Sequence, residues 1–140
     1  MSEENVELWR ASIEDFLASG SDWEGWLTRA TALWDPEIEW DASELGVPGL
    51  AGIYRGKEEV SAFWRNWLGA WETSEFAYEL LDAGDRVVML LDQTMRGLSS
   101  GIEVVGGKYA QVATFKAGLM SRWKFYPRQT AALDASGLLE

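Results

Sequence analysis

The chain has 140 residues and a formal net charge of −11, with nine tryptophans and neither histidine nor cysteine. That charge repels nucleic-acid phosphates and anionic lipid, whose partners need clustered Lys and Arg. The two missing residue types remove the side chain that titrates near neutral pH, the readiest nucleophile, disulfides and the usual zinc sites.

A hydrophobic content of 47% specifies a packed globule, and the length suits one domain spanning residues 1–140. No apolar run approaches the roughly 20 residues that cross a bilayer, and the acidic start Met1-Ser2-Glu3-Glu4 lacks the order of a signal peptide. The expectation is a cytoplasmic protein.

From Glu3 to Ser19 the apolar residues Val6, Trp9, Ile13, Phe16 and Leu17 recur at helical spacing, and Gly20 supplies the stop. Ser21-Asp22-Trp23-Glu24 fits a capping box, with Ser21 and Glu24 closing the start of a second helix. Its apolar side, Trp23, Trp26, Leu27, Ala30, Leu33 and Trp34, runs until Asp35-Pro36 breaks it. After Pro36 the period becomes two, with Ile38 and Trp40 on one face and Glu39 and Asp41 on the other, which predicts a strand. The stretch Gly46 to Gly52, with Pro48 and Gly49, reads as a loop.

Tyr54-Arg55-Gly56 then leads into a third helix, Lys57 to Glu72, carrying Val60, Phe63, Trp64, Trp67, Leu68 and Trp71 on one flank. Four strands follow, near residues 75–82, 86–96, 102–116 and 119–126, and their short connections predict antiparallel neighbours. The connection Gly97 to Gly101 contains Ser99 and Ser100, which have no histidine to activate them. Gly106-Gly107 marks a bulge or second turn. Pro127 opens a short last helix, with Ala131, Ala132 and Leu133 sealing one end of the domain before Gly137.

Helices followed by antiparallel strands predict an α+β fold in which a curved sheet wraps around the N-terminal helices. The order of these elements, with Asp35-Pro36-Glu37-Ile38-Glu39-Trp40, Tyr54-Arg55-Gly56-Lys57-Glu58, Asp82-Ala83-Gly84-Asp85-Arg86-Val87-Val88 and Arg122-Trp123-Lys124-Phe125-Tyr126, resembles the SnoaL-like branch of the nuclear transport factor 2 superfamily. The resemblance covers nearly the whole chain. It implies a cone with one internal pocket, commonly dimeric through the outer sheet face, in a group that includes ketosteroid isomerase, limonene epoxide hydrolase and polyketide cyclases.

Alternation places Ile38, Trp40 and Ala42 on one face, Tyr109, Gln111, Ala113 and Phe115 on another, and Leu119, Ser121, Trp123 and Phe125 on a third. The strand after Val87 is apolar at both phases, so periodicity does not choose between Leu91 with Gln93 and Leu90 with Asp92; similarity to the epoxide hydrolase favours Leu91, Gln93 and Met95 inward. Carried over by the resemblance, the base, tyrosine and acid of ketosteroid isomerase fall on Ala42, Ile13 and Gln111, and the catalytic set of the epoxide hydrolase falls on Leu91, Gln93 and Phe125. Neither mechanism carries over.

These readings give a cavity lined by Trp40, Tyr54, Trp64, Gln93, Tyr109, Gln111, Trp123 and Phe125. The two glutamines must find partners on an apolar surface: each other, Tyr54 or Tyr109, an ordered water, or a ligand's carbonyl or hydroxyl. One function is binding of a small apolar or aromatic molecule bearing a polar group. The alternative is an isomerase, cyclase or hydratase/hydrolase using Asp92, Asp41 or Glu39 as base, with Tyr54 or Gln111 steadying the oxyanion. Against that, Asp41 is read as solvated, and Asp92 as paired outside the sheet with Arg122 or Lys124. No metal site or cofactor is expected. A two-fold dimer would use Val88, Leu90, Val112, Met120 and Tyr126 on the outer face.

Overall fold

The computed structural model describes residues 2–46, 49–97 and 105–138. Helices α1 (Ser2–Ser19) and α2 (Trp23–Ala30) are followed by a single 3-10 turn (Thr31–Leu33) and strands β1 (Trp34–Asp41) and β2 (Ile53–Arg55). Helix α3 (Gly56–Gly69) leads to β3 (Trp71–Ala83), β4 (Arg86–Gly97), β5 (Val105–Lys116), β6 (Leu119–Tyr126) and helix α4 (Gln129–Ala135). The six strands form one curved sheet in the order β2-β1-β6-β5-β4-β3, and the fold is α+β as expected. One pair departs from the antiparallel prediction: β1 and β6 run parallel, because most of the chain lies between them and no hairpin dictates their sense.

Several boundaries move for local reasons. Asp22, not Ser21, caps α2, its carboxylate accepting the Gly25 N–H at 3.2 Å. Trp34 belongs to β1 and not to the second helix, pairing with Met120; Pro36 is tolerated because the β1–β6 register shifts between Trp34 and Glu39. Helix α3 ends at Gly69, so Trp71 starts β3 opposite Gly97 and is not on the helix flank. Gly106 and Gly107 run through the β4–β5 ladder without a bulge, opposite Thr94 and Gln93. Gly107 has a different purpose: a Cβ there would stand 2.7 Å from the Tyr109 hydroxyl oxygen and 2.8 Å from its Cζ, so the tyrosine ring lies directly on the glycine. The expected turn at 98–101, with Ser99 and Ser100, the start of the strand at 102–104 and Pro48 in the earlier loop lie outside the described residues.

The sheet's concave face and helices α1–α3 enclose the main core, in which Trp34, Ile38, Trp40, Val60, Phe63, Val87 and Met120 are 2% exposed or less. Each such side chain contributes about 1.5–3 kcal/mol of burial. Met120 is here, not on the outer face. The β5–β6 register shifts after Thr114: Phe115 pairs with Met120 and Thr114 with Arg122, leaving Ser121 as an extra residue. That bulge reverses the alternation, so Met120 and Trp123 both point inward while Leu119 and Ser121 lose the phase expected for them.

A second, smaller core lies on the outer face, where Val88, Ala110 and Val112 pack under Ala132 of α4. The chain's own last helix therefore covers part of the surface read as a dimer face. Gln129 anchors that helix by donating to the backbone carbonyls of Leu91 and Tyr109 at 3.1 and 3.3 Å, and Arg86 donates to Ala135 O at 2.9 Å. Among the described residues no helix is long and apolar enough to cross a membrane.

Candidate functional site: a tryptophan-lined cavity between helices and sheet

Between α1–α3 and the concave sheet face lies a cavity of about 80 Å³. Helix α1 supplies Trp9, Ser12, Ile13 and Phe16, whose spacing sets them on one face. Trp26, Leu33, Trp34, Trp64, Trp67 and Leu68 add further walls, and the sheet contributes Phe76, Met89, Leu91, Gln93, Gln111, Met120 and Trp123. Six of these are tryptophans, and none carries an ionisable side chain. Phe16, Trp67, Leu68, Phe76 and Gln93 are partly exposed and form the open side, whereas Trp9, Trp34 and Trp123 close the depth. Trp64 stacks on Trp123 with centroids 5.0 Å apart and planes 25° from parallel.

Polar groups in this wall are few. The Trp123 Nε1–H donates to Gln111 Oε1 at 2.8 Å, and the Trp26 Nε1–H donates to the Ser12 carbonyl at 2.9 Å. Trp64 is 8% exposed, and its Nε1–H is buried without a partner among the described residues, as is that of Trp40. The arrangement can hold a ring by stacking and orient one polar atom by hydrogen bonds. Among the described residues the lining includes no ionisable side chain, and no cluster of His, Cys, Asp or Glu could hold a metal ion.

The family model of the SnoaL-like domain matches residues 9–123, most of the chain. The chain belongs to the SnoaL-like family. Solved structures share its fold. An NTF2-like protein of unknown function from Burkholderia pseudomallei K96243 superposes with TM-score 0.72 at 22% identity, covering 96% of this chain and 97% of that one. Bal32a, from a soil-derived mobile gene cassette, gives 0.73 at 22% identity with 96% of both chains covered. TerC, co-crystallised with polyporic acid, gives 0.67 at 22% identity, covering 96% of this chain and 98% of that one. No curated protein matches the chain significantly.

In this SnoaL-like chain, four of the eight side chains read from sequence as ligand-facing, Trp64, Gln93, Gln111 and Trp123, line the cavity. The other four do not. Trp40 faces inward but is sealed behind Trp64 and Trp123, at 5.3 and 4.9 Å between centroids. Tyr54 packs on Phe63 and donates its hydroxyl to the Leu50 carbonyl at 2.6 Å. Tyr109 leans on Phe125 at 5.6 Å, and both sit beside the cavity rather than on it. Of the six positions aligned with catalytic residues of relatives, Ile13, Leu91, Gln93 and Gln111 fall on the lining. The side chain of Met95 lies outside the described residues.

The carboxylates stand on the other side of the sheet. Asp92 has a side chain 61% exposed and pairs with Lys108 at 3.5 Å, its directly opposed residue, not with Arg122 or Lys124. Glu39 pairs with Arg122 at 3.0 Å and Arg55 at 3.4 Å. Asp41 is half-buried rather than solvated, bonded to Lys124 at 3.1 Å and to the Ser43 hydroxyl and amide at 2.6 and 3.0 Å. Burial pushes its carboxyl up, but the Ser43 hydrogen bonds and Lys124 outweigh this and hold it below the ordinary carboxylate value.

Apart from Ile13, which the resemblance set at a catalytic position, the α1 wall was missed as a site because Trp9 and Phe16 read only as part of an amphipathic stripe. The available signal was Ser12, a lone hydroxyl set three residues after Trp9 within that stripe.

Proposed function

We propose that this SnoaL-like chain binds a small, uncharged, largely apolar molecule bearing one polar group, stacked among Trp64, Trp67 and Trp123 in the cavity between helices and sheet. The observation that carries this reading is the lining itself: six tryptophans, two glutamines and a serine, with no charged side chain among the described residues. The volume supports a guest of modest size. About 80 Å³ is roughly half the ~150 Å³ that accommodates benzene in an engineered cavity, so an aromatic ring uses the open side or displaces Trp67 and Leu68 outward. TerC, of the same fold, has been crystallised with polyporic acid, an analogy that supports occupation by an organic molecule and not the uncharged character of the guest.

The alternative, proton transfer by a carboxylate base, needs a carboxylate within reach of the guest. Asp92, Asp41 and Glu39 are each engaged by a cation on the outer face, and no described lining residue replaces them.

A tryptophan-fluorescence titration with toluene and naphthalene tests the binding reading. Saturable change for at least one of them, with a rise in melting temperature at saturating ligand, is the expected result. Linear, non-saturating responses for both would remove it.

A further inference from the structure

We infer that the polar group of the bound molecule is a hydrogen-bond acceptor, a carbonyl-type oxygen received by Gln111. The inference rests on the cavity reading above and adds the polarity of the site to it.

A glutamine amide by itself has no fixed polarity, because half a turn exchanges its oxygen with its NH2. At Gln111 that turn is blocked. An indole nitrogen can only donate, so the Trp123 Nε1–H at 2.8 Å requires the amide oxygen to face it. Trp123 has little freedom to release that oxygen, being 5% exposed and wedged among Trp9, Trp34, Trp40 and Trp64 at centroid distances between 4.9 Å and 6.4 Å. The Gln111 NH2 is left to donate elsewhere, and among the described residues it has no hydrogen-bond partner.

A second unpartnered donor is buried within the wall itself. Trp64 lines the same cavity and stacks on Trp123, and its buried Nε1–H is likewise unpartnered among the described residues. Ser12 and Gln93 can each donate or accept and set no preference. An oxygen with lone pairs and no proton therefore gains most here. Among the described lining residues an ionised carboxylate would meet no Lys or Arg, and an ammonium no Asp or Glu.

The test uses three molecules of similar shape and different polarity: acetophenone, an acceptor; α-methylstyrene, its isostere without oxygen; and benzoate, an anion. Their affinities are measured by NMR, following the indole N–H signals of the intact protein. Two variants accompany the wild type. Gln111→Glu keeps an acceptor for the Trp123 N–H and removes the NH2, while Trp64→Phe removes only an indole donor.

Acetophenone is expected to lose at least about tenfold in affinity in Gln111→Glu and about threefold in Trp64→Phe, with α-methylstyrene changing less than twofold in Trp64→Phe. Benzoate is expected to bind the wild type most weakly. Parallel losses for acetophenone and α-methylstyrene in both variants would overturn the acceptor assignment while leaving the cavity reading intact, as would preferential binding of benzoate. Failure of all three to shift any indole signal of the wild type would overturn the cavity reading, and the assignment with it.

Discussion

Trp123 of β6 donates its indole N–H to Gln111 of β5 at 2.8 Å, an interaction between one side chain nearly sealed from solvent and another that borders the cavity. Their strands are adjacent and antiparallel, with Gln111 directly opposite Phe125 and Ala113 opposite Trp123, so the two meet diagonally across the ladder. Trp123→Phe keeps a ring in the stack but deletes the donor and part of the volume. The expected cost is about 2 kcal/mol, seen as a lower urea midpoint at unchanged slope. A change below about 0.5 kcal/mol would mean that the bond and the packing around it contribute little.

Met120 distinguishes the two phases of β6. With the bulge at Ser121, Met120 lies in the main core at 1% exposure, and Met120→Lys is expected to destabilise by about 3 kcal/mol or more. Leu90→Lys, on the partly exposed outer face, is expected to be much milder. Equal tolerance of lysine at both sites in thermal melts would place Met120 on the outside after all.

Gly107 is expected to be intolerant of a methyl group only while the Tyr109 ring lies on it, since the added Cβ would meet that ring at 2.7 to 2.8 Å. Gly107→Ala should cost about 1–3 kcal/mol alone and close to nothing in a Tyr109→Ala background. A double-mutant cycle in urea checks this, and additive costs would contradict it.

Acid stability should depend on Asp41. Its folded carboxyl titrates below the ordinary value, so the unfolded chain binds the proton more readily and the contribution exists fully above the unfolded pKa of about 3.9. It disappears as pH falls through the folded pKa. Lys124, pushed down by burial but raised overall by Asp41, contributes in the opposite sense: its share is present below about pH 10.4 and is lost as pH rises through the raised folded value. Asp41→Asn is therefore expected to flatten the fall in urea midpoint between pH 5 and pH 2. An unchanged acid limb would show that other carboxylates dominate it.

How much of this was legible beforehand depended on which physical rule applied. Strand alternation put Gln111 and Trp123 inward correctly, and the resemblance resolved the phase of β4 in favour of Leu91 and Gln93. Alternation does not encode a bulge, so Met120 was assigned to the wrong face: nothing in Leu119-Met120-Ser121-Arg122 announces an extra residue. Nor does it encode depth. Trp40 points inward as read, yet it packs behind Trp64 and Trp123, which line the cavity in its place. The α1 stripe was visible as amphipathic, but which wall it would complete depended on long-range packing. Trp34 was read as helical because Leu33-Trp34 continued the apolar period; its pairing with Met120, more than eighty positions away, decided otherwise.

Occupancy of the cavity between helices and sheet is decided most directly by filling it from within. Met89 is buried, lines the cavity from β4 and can be replaced by a larger ring. In Met89→Trp, a fluorescence titration with the aromatic molecule that binds the wild type is expected to show at least a tenfold loss of affinity, while far-UV circular dichroism and cooperative melting are retained. Undiminished binding by a folded Met89→Trp variant would contradict the assignment, because the guest would then be held somewhere other than among these tryptophans.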